Sequence, residues 1–123
     1  MKKIQAGFIY IMSNNEYPGK LKIGKTKDEP VIRAKSLSNQ TSAIGKFKVE
    51  WQIKVPDMNI AESILHYKFR KLHYTKEFFE IDLEQAKILS QEIIEDFFNS
   101  EIEPLESQQQ LIRIKKLIAE HRK

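Results

Sequence analysis

Two short runs of β-branched and aromatic residues, Gly7 to Met12 (GFIYIM) and Leu21 to Lys25 (LKIGK), stand on either side of the turn-rich segment Ser13-Asn14-Asn15-Glu16-Tyr17-Pro18-Gly19. Such a pattern commits the start of the chain to an antiparallel hairpin. Asp28-Glu29-Pro30 then offers a capping candidate and a proline for a helix reaching about Leu37. Phe47 to Val55 alternates Phe, Val, Trp, Ile, Val before Pro56, which predicts a third strand with those five side chains on one face.

Asp57 opens a second helix whose apolar positions are Ile60, Ala61, Ile64, Leu65, Phe69 and Leu72. Residues 77 to 81 (EFFEI) have the composition of a short further strand. Asp82 with Gln85 resembles a capping box ahead of a third helix carrying Leu83, Ala86, Leu89, Ile93 and Phe97 as its stripe. The expectation is an α+β unit over residues 1–99, with a small three-stranded antiparallel sheet flanked by helices. A helical extension over 100–123, with a helix from Leu105 to about His121, carries Leu111, Ile114, Leu117 and Ile118 along one side. That stripe either packs back on the core or joins a second copy or another partner protein.

With 123 residues, the chain is long enough for one packed core and too short for two ordinary ones. It has no cysteine, which excludes a disulfide scaffold, a thiolate nucleophile and every zinc site that needs thiolates. No apolar run approaches the ~20 residues of a membrane span, and the first residues do not read as a secretory leader. A cytoplasmic protein is expected.

The net charge of +4 is unevenly spread. Residues 1–60 hold eleven Lys and Arg against five Asp and Glu, residues 77–106 hold ten acids and one base, and residues 107–123 hold five bases and one acid. The basic surface therefore belongs mainly to the N-terminal half. It reads either as solvated decoration or as a face for a polyanion.

Period-two alternation puts Ile9, Ile11, Leu21 and Ile23 on one face of the hairpin and Tyr10 and Lys22 on the other; with the four aliphatic side chains on the core side, Tyr10 and Lys22 are expected on the outer one. Arg33 lies near the start of the first helix, on the same face as Leu37, where a phosphate is also favoured. Glu62 and His66 are four apart on the second helix, so one carboxylate and one imidazole can enter the same cleft. Each pair alone is compatible with a surface contact. Together they supply a phenol and cations for developing negative charge and a carboxylate for a hard divalent ion, the parts of a phosphodiesterase.

The series Gly7-Phe8-Ile9-Tyr10, Lys22-Ile23-Gly24-Lys25-Thr26, Arg33-x-x-x-Leu37, Ala61-Glu62-x-x-Leu65-His66 and Glu77-Phe78-Phe79 resembles a GIY-YIG endonuclease domain. It is most similar to the phage and meiotically up-regulated gene subgroup, whose pattern shares the KIGKT segment and the E-F-F ending. The resemblance spans roughly residues 6–95. It implies a DNA endonuclease using Mg²⁺ or Mn²⁺, with Tyr10 as general base or water-orienting group, Arg33 steadying the phosphate and Glu62 binding the ion. Lys22 stands where the founding pattern has its second tyrosine. The asparagine found late in many members has no counterpart near Glu77.

The implied reaction is hydrolysis of a DNA phosphodiester, with Tyr10, Lys22, Arg33, Glu62 and His66 as the catalytic set. Lys25, Lys27, Lys35, Lys46 and Lys48 flank the motifs and are expected to touch DNA backbone without reading sequence. Trp51, Tyr67 and Phe69 read as core or partial core. A non-catalytic nucleic-acid-binding module with the same fold is the alternative.

Overall fold

The computed structural model describes residues 4–40 and 43–99. The expected tail helix, the 100–123 extension and any association through it lie outside the described residues. The elements run β1 (Gly7–Asn14), β2 (Lys20–Thr26), α1 (Pro30–Ser38), β3 (Phe47–Val55), α2 (Met58–Lys68), β4 (His73–Thr75), β5 (Phe78–Glu80) and α3 (Leu83–Asn99), with a single 3₁₀ turn at Arg70–Leu72. No described helix is long and apolar enough to cross a membrane.

All strands among the described residues join one antiparallel sheet in the order β3-β1-β2-β5-β4. The α+β class is as expected, but the sheet has five strands, not three. The segment at 77–81 does form a strand, β5, which adds to the free edge of β2 with Lys22 opposite Phe78. His73–Thr75 then returns along β5 as a fully exposed edge strand. All three of its residues are exposed, so they leave no buried–exposed alternation to read.

Two hydrophobic clusters lie on opposite faces of this sheet. Ile9, Ile11, Leu21, Ile23 and Phe79 pack with Ala61 and Leu65 of α2 and Ala86 and Ile94 of α3. On the other face Tyr10 and Met12 pack under Ala34 and Leu37 of α1, with Phe47 and Val49 alongside. The hairpin face expected to be outward is therefore covered, and Tyr10 is only 1% exposed and Lys22 9%.

β3 serves both clusters because its pairing with β1 slips by one residue. Trp51 lies opposite Ile11, whereas Val49 lies opposite Met12, leaving Glu50 as the extra residue of a bulge. A one-residue insertion reverses every side chain beyond it. Trp51 and Ile53 thus join the α2/α3 cluster while Phe47 and Val49 join the α1 cluster, and the single face expected for 47–55 is split in two.

The helix starts follow local chemistry. Asp57 Oδ1 accepts from the backbone N–H of Asn59 at 3.1 Å and of Ile60 at 3.3 Å, and Asp82 Oδ2 accepts from Gln85 N–H at 3.1 Å. α1 begins instead on Pro30 after Glu29 with no side-chain cap, its fixed φ sufficing to set the first turn.

Candidate active site

β5 pairs with β2 only from Lys20 to Lys22, so the edge of β2 beyond Lys22 has no strand beside it. Its backbone groups are met otherwise. The N–H of Ile23 donates to the Glu77 carbonyl at 3.0 Å, and the Ile23 carbonyl accepts from His66 Nε2 at 2.7 Å. Side chains from both faces of the sheet meet at this notch: Tyr10 from under α1, Lys22 from the same face of β2, Glu62 and His66 from α2, and Glu77 from the turn before β5.

Glu62 is the most constrained member. Its side chain is 13% exposed; Oε1 pairs with Lys25 Nζ at 3.2 Å, while Oε2 is buried and meets no hydrogen-bond donor. Burial raises its pKa above the ordinary glutamate value, with the neighbouring Glu77 carboxyl adding to the rise and His66 and Lys25 opposing it. Glu77 goes the other way. Burial also disfavours its charge, but the hydrogen-bonded Lys22 ammonium outweighs that and lowers its pKa. Two facing carboxyls of unequal pKa, one with an unmet oxygen, form a strong local acceptor for a proton or a cation.

Tyr10 lies opposite Gly24 in the β1–β2 register, and a Cβ on Gly24 would sit 2.5 Å from the Tyr10 hydroxyl. The glycine of the KIGKT segment is thus the space the phenol occupies. Burial, aided by the Glu77 charge, pushes the Tyr10 pKa up to about 12, although Arg33 hydrogen-bonds the hydroxyl and favours ionisation. At pH 7 the phenolate costs about 7 kcal/mol to form. In this setting the hydroxyl is a protonated, oriented donor.

His66 is fixed by the same hydrogen bond that closes the β2 edge. A carbonyl only accepts, so Nε2 carries the proton and a neutral ring leaves the Nδ1 lone pair as an acceptor. The ring also packs against Phe79, centroids 5.1 Å apart.

All five expected catalytic residues therefore lie at or beside the notch: Tyr10, Lys22, Glu62 and His66 directly, and Arg33 through Tyr10. Glu77 joins them although no role had been expected for it. Its partner Lys22 is 55 positions away, a separation no spacing rule detects; the E-F-F ending was the available signal. Among the lysines expected on DNA, Lys25 is paired with Glu62, and Lys27 is exposed just after β2. Lys35, Lys46 and Lys48 gather elsewhere, around a groove between α1 and β3.

No three His, Asp or Glu side chains among the described residues are gathered into a metal cage. A hard divalent ion such as Mg²⁺ needs only one or two carboxylates with water and substrate phosphate. The unmet Glu62 oxygen beside Glu77 fits that demand.

No curated protein and no solved structure matches the chain. The model of one family, the T5orf172 domain, matches residues 7–94, the stretch that contains both clusters and every residue of the notch. The chain belongs to the T5orf172 domain family, a nuclease-related domain.

Proposed function

We propose that the chain is a divalent-metal-dependent DNA endonuclease of GIY-YIG type, with one active site at the β2 notch. The observation that carries this reading is the buried oxygen of Glu62 that no donor meets, beside the Glu77 carboxyl and near the phenol that Arg33 hydrogen-bonds. Glu62, with Glu77 beside it, would hold the ion, and a bound Mg²⁺ or Mn²⁺ would supply Lewis-acid polarisation of the phosphate and charge stabilisation for the departing 3′ oxygen.

The chain's own groups do the rest. Arg33 binds a non-bridging phosphate oxygen and balances the charge that grows on it. Tyr10, held protonated by its burial, donates to and orients the attacking water. His66 Nδ1 accepts the water proton as oxygen adds to phosphorus and the bond to the 3′ oxygen breaks; the leaving oxygen is protonated from solvent. Lys22 keeps Glu77 ionised next to Glu62, so the electrostatic position of the second tyrosine is taken by an ion pair.

One observation favours the alternative, a nucleic-acid-binding module without catalysis: Tyr10 is too buried and too weak an acid to serve as the general base expected of that position. A cleavage assay separates the two. Duplex, branched and single-stranded DNA are incubated with Mg²⁺ or Mn²⁺ and either wild type or Glu62→Gln. Metal-dependent nicking by wild type alone supports the nuclease; salt-sensitive binding with no cleavage and no response to metal selects the module.

A further inference from the structure

α1 separates two different surfaces. At 100° per residue, Pro30, Ala34 and Leu37 face the sheet, Arg33 stands on one shoulder, and Val31, Lys35 and Ser38 stand on the other. The first shoulder looks to Tyr10 and the notch. The second forms one wall of a groove of about 740 Å³ whose other wall is Lys46, Phe47, Lys48 and Val49.

Short polar ties fix the two walls of the groove relative to each other. Ser38 Oγ donates to the Ala34 carbonyl at 2.7 Å and accepts from the Phe47 N–H at 2.9 Å, fixing the end of α1 to the start of β3. Lys46 N–H donates to Asn15 Oδ1 at 2.7 Å, and the buried Asn14 amide donates to the Ile44 carbonyl at 3.0 Å. Gly45, at φ +76°, makes the reversal between them, and a Cβ there would fall 2.1 Å from the Asn14 side-chain oxygen. The β1–β2 turn thus positions the start of β3, where Phe47 and Val49 face α1 and Lys46 and Lys48 alternate with them along the groove.

No acidic residue lines this groove, and Lys35, Lys46 and Lys48 enter no ion pair among the described residues. Its apolar lining is unusual for a purely electrostatic surface: Phe47 and Val49 are half-buried and Val31 is 58% exposed. A duplex keeps its bases paired inside, so it would reach only the lysine tips and leave that lining wet. A single strand offers both a backbone for the lysines and unstacked bases for the apolar wall.

We infer that the α1–β3 groove binds single-stranded DNA, taking unpaired nucleotides next to the duplex whose phosphate enters the notch. The proposal rests on the nuclease reading for what that strand adjoins, and on the groove alone for the binding. It makes the preferred substrate a junction between paired and unpaired DNA.

The test measures binding without metal, so that cleavage plays no part. Backbone amide shifts are recorded as a six-nucleotide oligo-dT or a blunt twelve-pair duplex is added to the full chain, and affinities are measured by fluorescence anisotropy. The oligonucleotide should shift Val31, Ser38, Phe47 and Val49. Lys35→Gln/Lys46→Gln/Lys48→Gln should weaken it at least tenfold and flatten its log–log salt dependence by about 2, for three phosphates at ~0.7 each. Shifts confined to the notch, tighter binding of the blunt duplex, or an unaffected triple variant would overturn the proposal. Groove binding by a chain that cuts nothing keeps this inference and ends the nuclease; full cleavage of junctions by the triple variant does the reverse.

Discussion

The two faces of the sheet are made from the same strands, residue by residue in alternation, yet they are built for different ends. Under α2 and α3, Ile9, Ile11, Ile23 and Phe79 are buried among aliphatic and aromatic neighbours and carry no polar side-chain atom. On the other face, the intervening positions bury a phenol against a glycine under α1 and pair a buried lysine with a half-exposed glutamate. Apolar packing is indifferent to which atoms meet, provided the volume is filled; the second face needs particular groups at particular positions and bears a desolvation cost to hold them. Glu62 and His66 reach the notch from α2 on the first face, so the contrast is between the aliphatic cluster and the notch: stability should respond mainly to the cluster and chemistry to the notch.

The sharpest separation is expected from Glu62→Gln. Cleavage should fall by about a thousandfold or more, roughly 4 kcal/mol of transition-state stabilisation, while the urea midpoint at neutral pH holds or rises, because a charge disfavoured by burial has been removed. A variant that loses activity and stability together would merge the notch with the cluster. Leu65→Ala, in the aliphatic cluster, should do the opposite and cost about 3 kcal/mol in denaturant titration, with cleavage per folded molecule unchanged.

Gly24→Ala probes the join between them. The added methyl meets the Tyr10 hydroxyl, so the phenol must move, and about a hundredfold should be lost in cleavage against roughly 1–3 kcal/mol in stability. Single-turnover rates beside urea midpoints would show whether Tyr10 tolerates displacement; a fully active variant would remove it from the mechanism.

Glu62 and Glu77 also predict opposite pH responses in the metal-free protein. The raised Glu62 pKa means its favourable protonated form contributes fully below the ordinary glutamate range and that this stability is lost as pH rises through its folded value. The lowered Glu77 pKa means its contribution is present above the ordinary range and lost as pH falls through its own folded value. Glu77→Gln should therefore destabilise at neutral pH, by about 1 kcal/mol given the partial exposure of its side chain, and converge with wild type in acid. Glu62→Gln should show the reverse sign. Urea midpoints across pH 3 to 7 check both, and equal signs would refute the assignment.

Much of this was legible before any coordinates. The hairpin, α1, α2, α3 and β3, the Asp57 and Asp82 caps, and the five residues that gather at the notch could all be read from period and motif. What escaped was non-local. Alternation separates the faces of a strand without saying what covers each, so it predicts Tyr10 outward although α1 lies over it. Only the partner strand reveals the bulge at Glu50, and only the course of the turn before β5 brings Glu77 to Lys22 and Glu62. Lys25 looked like any other lysine of a basic segment until its register on β2 put it against Glu62.

The account stands on Glu62 as the anchor of a divalent ion. Its most direct test is Mn²⁺ binding followed by electron paramagnetic resonance, with the ion titrated into wild type and Glu62→Gln in the presence of the same DNA. Wild type should take up one ion per chain beyond the DNA background and Glu62→Gln none; superimposable titrations for the two proteins would contradict the assignment.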